Sequence, residues 1–488
     1  MISEKNIASE TVYCPTTTTI KKGVRLEAQV TKENAINYKL YIAVFTVNIL
    51  AFAAGNAHAW PSSAMLSLKS KDTERNPLGA PITSSEESWI VSFMHLGSAV
   101  ATIFAGYISD RRGRRTTLLI FVIPWLLSHI CLIFATTVSE FLLWRFIMGV
   151  GIGSIHAIIP IYVGEVSEIR IRGFLGNFLQ ILYTLGLLFV YTIAPFISLV
   201  GLSIILTIPL GLCLIIFRSL VPESPHYYVN QRNLEAAEMS LSKLRTTRDQ
   251  NTLFKELSDI EEIFEESRNM QSMKQILRSK SFRKGITISM GLMFFQQFSG
   301  VHVFISYLES IFALTDGAIS SSTSSSIVIL VRLGSVLVGT CLVDIWGRKV
   351  LLIISSTFCG SSLATIGLFF WMKNNGVDMS IWWWLPVFSS LIYMIGFSFG
   401  LGPLPWTLLG ELFSNSTKAL ASSISTFTAF FLSFVVTITF RSLEHSLGLH
   451  GAFWFFAVQT VIGLIFIVFY VPETKGKSFQ EVQRMLER

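Results

Sequence analysis

The chain has 488 residues, 51% of them hydrophobic and only 14% charged, with a mean hydropathy of +0.57. A water-soluble domain of this make-up would expose large apolar patches, so the natural solvent for most of the chain is a bilayer. The formal charge of +7 does not point to nucleic acid, because short basic loops alternate with nearly uncharged ones, the pattern of a membrane protein.

The first 38 residues are polar and lack the apolar core and cleavage site of a secretory signal, so they read as a cytosolic tail. About twelve mostly apolar stretches follow, each long enough to cross the hydrocarbon. They fall near 39–59, 89–109, 116–136, 140–162, 174–195 and 199–219, then 285–307, 323–343, 350–371, 381–409, 418–440 and 450–471. The one sizeable loop on the outer side covers about 61–88, and the serine run Ser320–Ser326 reads as a flexible loop and helix start. Between the two groups of six, a stretch rich in Glu, Lys, Arg and Leu predicts short amphipathic helices on the cytoplasmic side. The expected organisation is therefore a tail at 1–38, a six-helix half at 39–221, a helical linker at 222–284, a second half at 285–471 and a cytoplasmic tail at 472–488.

Arg111, Arg112, Arg114, Arg115, Arg170, Arg172, Arg348, Lys349 and Lys418 fall on one side of this layout, against Lys373 and Arg441 in the short loops of the other. The positive-inside rule places the basic side, and with it both termini, in the cytoplasm. The sequon at Asn415 is then cytoplasmic and stays bare. Cys14, Cys131, Cys213, Cys341 and Cys359 show no pairing pattern and read as packing residues.

The two halves repeat each other. Asp110-Arg-Arg-Gly113-Arg114-Arg115 answers Asp344-Ile-Trp-Gly347-Arg348-Lys349; Glu165 with Arg172 answers Glu411 with Lys418; and Pro222-Glu-Ser-Pro answers Pro472-Glu-Thr-Lys. Such duplication in a hydrophobic chain is expected of a transporter built from two similar membrane halves. Glycine permits the tight turn between consecutive helices, and the flanking charges sit where water and protein both solvate them. The turn charges can pair with Glu165 and Glu411 at neighbouring helix ends, and Asp110, Arg114, Arg115, Glu165 and Arg172 set against Asp344, Arg348, Lys349 and Glu411 are thus expected to form a cytoplasmic gate, latching the halves in one state and parting in the other.

Together with Arg145 before Gly149, Tyr162-Val-Gly-Glu165, Gln296-Gln-Phe-Ser-Gly300 and Gly402-Pro-Leu-Pro-Trp406, these motifs resemble the sugar porters of the major facilitator superfamily. Glu86-Glu-Ser-Trp89 and Trp406-Thr-Leu-Leu-Gly-Glu411 look most like the insect facilitated trehalose transporters. The resemblance implies an all-α membrane protein with twelve transmembrane helices in two six-helix halves. It also implies a polar cavity between the halves and plasma-membrane uniport of trehalose or a hexose. Gln180, Gln296 and Gln297 match the family's sugar-contacting glutamines. One amide offers donors and an acceptor to neighbouring hydroxyls, although an intramembrane glutamine also serves as interhelical glue, and both roles stay open. Trp406 offers an apolar face to a sugar ring. Gly300, Gly402, Pro403 and Pro405 would break the seventh and tenth helices beside it.

The chain also departs from the family's pattern. His302 and Arg332 stand where the family has asparagines, Ser398 where glucose carriers have an acid, and Ala429-Phe430 where an Asn-Trp pair is usual. A lone arginine near mid-bilayer costs about 2.5–3.5 kcal/mol or more, so Arg332 should face a partner or a wet cavity. A structural pair with Glu309 or with carbonyls, contact with a neutral sugar, and recognition of an anionic substrate all remain open. Proton-linked relatives carry an aspartate in the first helix; here Asn48, Asn56 and His58 are the candidates for such a role, which favours uniport, with His58 or His302 as a route to pH sensitivity. The altered cavity also admits a transport-incompetent sugar sensor. No metal cluster, nucleophile motif or phosphate-binding loop is legible, so neither an enzyme nor a cofactor is indicated. The expected partners are a small-molecule sugar and the lipid bilayer, not nucleic acid, and no signal sets an oligomeric state.

Overall fold

A computed structural model describes residues 37–487 other than 73–74, 169–170, 246–249, 269–278, 316, 414 and 478. The described residues hold eleven helical segments long and apolar enough to span a membrane. The last, Leu420–Tyr470, has 51 residues, which at 1.5 Å each is about 75 Å, more than twice the hydrocarbon thickness. It breaks at Gly448, where φ is 73° and ψ is 165°, and so is two spans, the eleventh and twelfth.

The first half comprises Tyr38–Leu68, Ser84–Arg112, Arg114–Phe134, Val138–Val166, Phe178–Ile193 and Leu199–Leu220. Helix starts are written in the sequence. Thr83 with Glu86 and Thr137 with Glu140 form capping boxes, and the side chains of Asn37, Ser198, Ser279 and Ser320 each accept a first-turn amide. Glycines set the closest approaches: a Cβ on Gly149 would lie 2.0 Å from the Met94 carbonyl oxygen, and one on Gly55 2.0 Å from that of Tyr183. Bilayer helices associate by such close backbone packing, since lipid supplies no hydrophobic drive between them.

Two spans of the second half are discontinuous. The seventh runs Lys280–Phe298, turns at Gly300 with φ of 80°, and resumes at Val301–Ala313; the tenth runs Leu385–Phe399 and Leu404–Leu412 around Gly400–Pro403. The eighth and ninth are Ser321–Trp346 and Arg348–Asn374. Backbone freed at these breaks is satisfied by neighbours, as membrane depth requires: Leu401 N–H donates to Ser355 Oγ at 2.9 Å and Tyr393 O–H to the Ser299 carbonyl at 2.9 Å.

The segment between the halves carries Pro225–Asn230, Leu234–Leu244 and Gln250–Arg268 around its own small core of Val229, Ala237, Leu241, Leu253, Leu257 and Ile260. It is tied to the first half through Asn37 Nδ2 to the Leu244 carbonyl at 2.5 Å and Arg245 Nη1 to the Val166 carbonyl at 2.8 Å. The final helix, Phe479–Glu487, is tied to the second half by Gln483 Nε2, which donates to the Leu412 carbonyl at 2.7 Å.

The repeated glutamates explain the repeated glycines. Glu223 accepts from the amides of Arg114 and Arg115 at 2.7 and 3.0 Å, and Glu473 accepts from those of Arg348 and Lys349 at 3.1 and 3.0 Å. Each carboxylate thus caps the helix that follows the turn. Burial alone would raise the pKa of Glu473, but the backbone amides of Lys475, Arg348, Lys349 and Thr474 overcome it and hold the carboxyl below its ordinary value. Gly113 and Gly347 have φ of 89° and 87° and ψ of 160° and 167°, a region essentially reserved for glycine, and a Cβ at either would strike the capping carboxylate at 2.3 or 2.8 Å. Gly113→Ala and Gly347→Ala are each expected to destabilise the protein by about 1–3 kcal/mol. Lowered thermal midpoints in detergent would show this; unchanged midpoints for both would refute the capping role.

Candidate functional site

Polar side chains from both halves converge beside the two helix breaks. Gln296 and Gln297 lie on the last turn before Gly300, and both are buried. Gln296 Nε2 donates to the Leu401 and Gly402 carbonyls at 2.6 and 2.8 Å, so it braces the seventh span against the broken tenth. Its Oε1 accepts from Gln297 Nε2 at 3.1 Å, while Gln297 Oε1 is buried with no partner among the described residues. The expected roles thus divide: Gln296 is committed to protein backbone, and Gln297 presents an unused acceptor.

His302 follows the break, half-buried, with a buried Nδ1 that has no partner among the described residues. On the eighth span Arg332 is 3% exposed. Its Nε and Nη1 likewise have no partner among the described residues, and its guanidinium lies 5.8 Å from the Tyr183 ring and 5.7 Å from the Phe397 ring. Glu309 is not its partner. That carboxylate instead accepts from Ser63 Oγ at 3.1 Å, and the Glu309 amide donates to Ser62 Oγ at 3.2 Å. Of the structural reading of Arg332, a pair with Glu309 or with carbonyls, the Glu309 pair is therefore absent among the described residues. The serines of the first span lie within reach of Glu309 and supply its neutral partner.

Gln180 is half-buried on the fifth span, one turn before Tyr183, whose ring lies beside Arg332. Trp406 is half-buried on Leu404–Leu412 and packs against the core. Ser398 spends its hydroxyl on the Met394 carbonyl, and Phe430 packs edge-on against His156. The positions where the chain lost polar groups are thus closed by packing.

The duplicated charges lie together at one end of the bundle, but the ion pairs among the described residues stay within their own halves. Arg114 bonds Glu165 at 2.8 Å and Asp110 at 3.2 Å; Arg348 bonds Glu411 at 3.0 Å. Arg115 Nη1 reaches the Val221 carbonyl at 3.5 Å and Lys349 Nζ the Val468 carbonyl at 2.7 Å. In this conformation the turns place each arginine beside the glutamate of its own half, as expected of neighbouring helix ends, with no latch across the halves among the described residues. The Asp344 side chain lies outside the described residues, as does Arg170. Arg172 and Lys418 do face each other electrostatically across the two halves. Partial burial, followed by that repulsion, holds the Lys418 amine below its ordinary pKa.

Among the described residues, side-chain bonds join the halves within the bundle, where Ser433 Oγ meets His95 Nδ1 at 3.0 Å, and toward the opposite end. Arg441 Nη2 of the eleventh span bonds Glu87 of the second at 2.8 Å, and Glu87, fully buried, also takes Lys69 Nζ at 2.8 Å. Arg441 further bonds Glu444 and lies 4.6 Å from the Tyr307 ring. The Tyr191 hydroxyl donates to the Ile305 carbonyl, and Ser326 Oγ to the Tyr191 carbonyl at 3.0 Å. Sequence reasoning missed this network. Arg441 read only as a sparse loop charge, and nothing in the spacing of Glu87 and Arg441 announces that they meet.

Residues 35–486 match the family described as sugar (and other) transporter. The chain belongs to this sugar transporter family. The chain is 33% identical to the facilitated trehalose transporter Tret1-2 homolog of Drosophila sechellia, over 94% of this chain and 93% of that one. It is 34% identical to the facilitated trehalose transporter Tret1 of Polypedilum vanderplanki, over 92% and 88%. Against the Anopheles gambiae Tret1 it is 33% identical over 91% of its length but spans only 56% of that relative. Among solved structures, the partially occluded inward open form of the xylose transporter XylE from E. coli superposes with a TM-score of 0.74 at 24% identity, covering 90% of this chain and all of that one, a likeness of fold. For a member of this sugar transporter family, what singles out Gln297 and Arg332, both candidates from the sequence, is chemical. Each is a strong hydrogen-bonding group at membrane depth, where an unpaired polar atom costs several kcal/mol unless a ligand or water meets it.

Proposed function

We propose that this protein carries a sugar, trehalose or a hexose, down its gradient across the cell membrane by alternating access, with both termini in the cytoplasm. The observation that carries the reading is the unpartnered set of Gln297 Oε1, His302 Nδ1 and Arg332 Nε and Nη1, contributed beside the helix breaks of a sugar transporter family fold. A hydroxylated ligand supplies both the donors and the acceptors these atoms lack. The placement of basic residues supports a cytoplasmic position for the duplicated turns. On that orientation the halves are bonded together at the outer end, which is the closed end in this state. The Arg114–Glu165 and Arg348–Glu411 pairs then brace each half as a body that rocks, and the gate proper is the approach of the duplicated cytoplasmic turns of the two halves, Asp110 of one meeting Lys349 of the other.

The test is counterflow of labelled trehalose and glucose into liposomes holding the purified protein. Concentrative exchange of either supports the proposal; background exchange of both, with the protein folded and inserted, overturns it in favour of a sensor. Gln180→Ala is expected to lower uptake by about two- to tenfold, the range of one net hydrogen bond, with insertion unchanged. Unaltered uptake would remove Gln180 from the site. A second reading, an anionic sugar, is favoured by Arg332, whose charge has no carboxylate partner among the described residues.

A further inference from the structure

His58, His95 and His302 lie far apart in the chain, yet each offers a ring nitrogen within 4.8 Å of the others. The ring centroids are 5.4 Å apart for His58–His95 and His58–His302, and 4.8 Å for His95–His302. The sequence showed no metal cluster because the three come from the first, second and seventh spans and have no ligand spacing. Their surroundings fix which nitrogens are available. His58 Nδ1 is 2.8 Å from the Ala54 carbonyl, which can only accept, so Nδ1 carries the hydrogen and Nε2 keeps its lone pair. That Nε2 is buried and has no partner among the described residues. His95 Nδ1 is engaged by Ser433 Oγ at 3.0 Å, and His302 Nδ1 is buried and unpartnered in the same way. Outer hydrogen bonds that set the tautomer and ring direction are the usual support of metal-binding imidazoles.

We propose that these histidines form a site for a borderline divalent transition ion of the zinc class, and that the ion clamps the two halves together in this state. Imidazole suits such ions, and three histidines with a fourth position open are a known zinc arrangement. Zinc–nitrogen bonds of about 2.0–2.1 Å put tetrahedral ligands about 3.3 Å apart, so the rings close by roughly 1.5 Å on binding. Arg145, near His58 and His95, and Arg332, near His302, oppose added positive charge. The fourth ligand is accordingly an anion, hydroxide or chloride, which lowers the charge of the ion's complex. His58 and His95 belong to one half and His302 to the other, on the inner side of the bonded end. Opening that end pulls the site apart. An ion bound in only one state holds the protein there, and the holding energy equals its differential affinity.

The test uses the purified full chain without a histidine tag, in detergent at neutral pH. Co2+ should give the visible absorption band of tetrahedral imidazole ligation, and one equivalent of Zn2+ should displace it. His58→Gln and His95→Gln should each weaken Zn2+ by at least about tenfold, the lower bound seen even for outer-shell changes, while His445→Gln, an exposed histidine, leaves it unchanged. In liposomes Zn2+ should slow exchange relative to the metal-free rate in wild type and not in His95→Gln. Absence of the cobalt band from wild type overturns the site, an outcome that does not depend on any variant folding. Equal zinc affinity in the His→Gln variants also overturns it, and zinc binding without slowed exchange overturns the clamp. The metal titration stands whatever cargo the protein carries, so its failure is distinct from failure of the sugar reading.

Discussion

Arg332→Asn is expected to weaken the apparent affinity for the carried sugar by about ten- to a hundredfold while leaving the empty protein as stable as before or more so. Hydrogen bonds to a charged group contribute about 1.5–3 kcal/mol each, which sets the size of the loss. The stability half of the expectation follows from the unmet donors. A structural arginine would spend Nε and Nη1 on carbonyls or a carboxylate, and here neither has a partner among the described residues, with the Tyr183 and Phe397 rings beside the guanidinium. Exchanging a buried, under-paired cation for a neutral amide removes a desolvation cost and forfeits no ion pair. Affinity and thermal midpoint therefore move in opposite senses, which a merely structural arginine would not produce. Comparing trehalose, glucose and glucuronate in counterflow separates the two ligand classes. A loss shared by all three fits a neutral cargo, and a loss confined to glucuronate fits an anionic one. Unaltered affinity for all three, with a lowered midpoint, would return Arg332 to a structural role.

The architecture was legible because membranes make it so. Apolar length, basic loops and glycine turns are local signals, and the duplicated motifs repeat them, so spans and halves follow without any contact being known. Gly300 and Gly402 announced their helix breaks for the same reason. What stayed hidden depends on distance in space. Gln296 and Gln297 are neighbours with the same chemistry, and only the position of the broken tenth span decides that one bonds the Leu401 and Gly402 carbonyls while the other keeps a free oxygen. The Pro-Glu motifs were visible as repeats, but their work as caps over Arg114 and Arg348 requires the sixth and twelfth spans to return beside the turns. The duplicated arginines and glutamates suggested a latch because two copies of a charge pair can be matched within halves or across them, and spacing does not choose. Glu87 and Arg441 carry no duplicate at all, and so the bond that crosses the halves left no pattern.

That crossing bond carries the second large effect. Glu87→Gln should move the resting population away from this state by about ten- to a hundredfold. Glu87 is fully buried and holds both Lys69 and Arg441 at 2.8 Å. Removing one member of a buried pair costs about 3–5 kcal/mol because the other charge is left uncompensated. The figure here is reduced to roughly 1.5–3 kcal/mol, since Arg441 keeps Glu444 and the Tyr307 ring and Lys69 reaches water. Glu87 sits on the second span and Arg441 on the eleventh, so the pair exists only while this end is closed. Its loss penalises the closed form and not the open one, and the equilibrium shifts by that difference. Arg441→Gln should act in the same direction, and the double variant should show less than the sum of the two, because both remove one interaction. The measurement is thiol labelling of Ser63→Cys from the outer side, with Cys14, Cys131, Cys213, Cys341 and Cys359 replaced by Ser. Ser63 bonds Glu309 of the other half when the end is closed, and it should label faster in each Glu87 and Arg441 variant. Labelling at the parent rate in both would mean that the closed end is held by packing and by the Tyr191 and Ser62 bonds, with the ion pair a bystander.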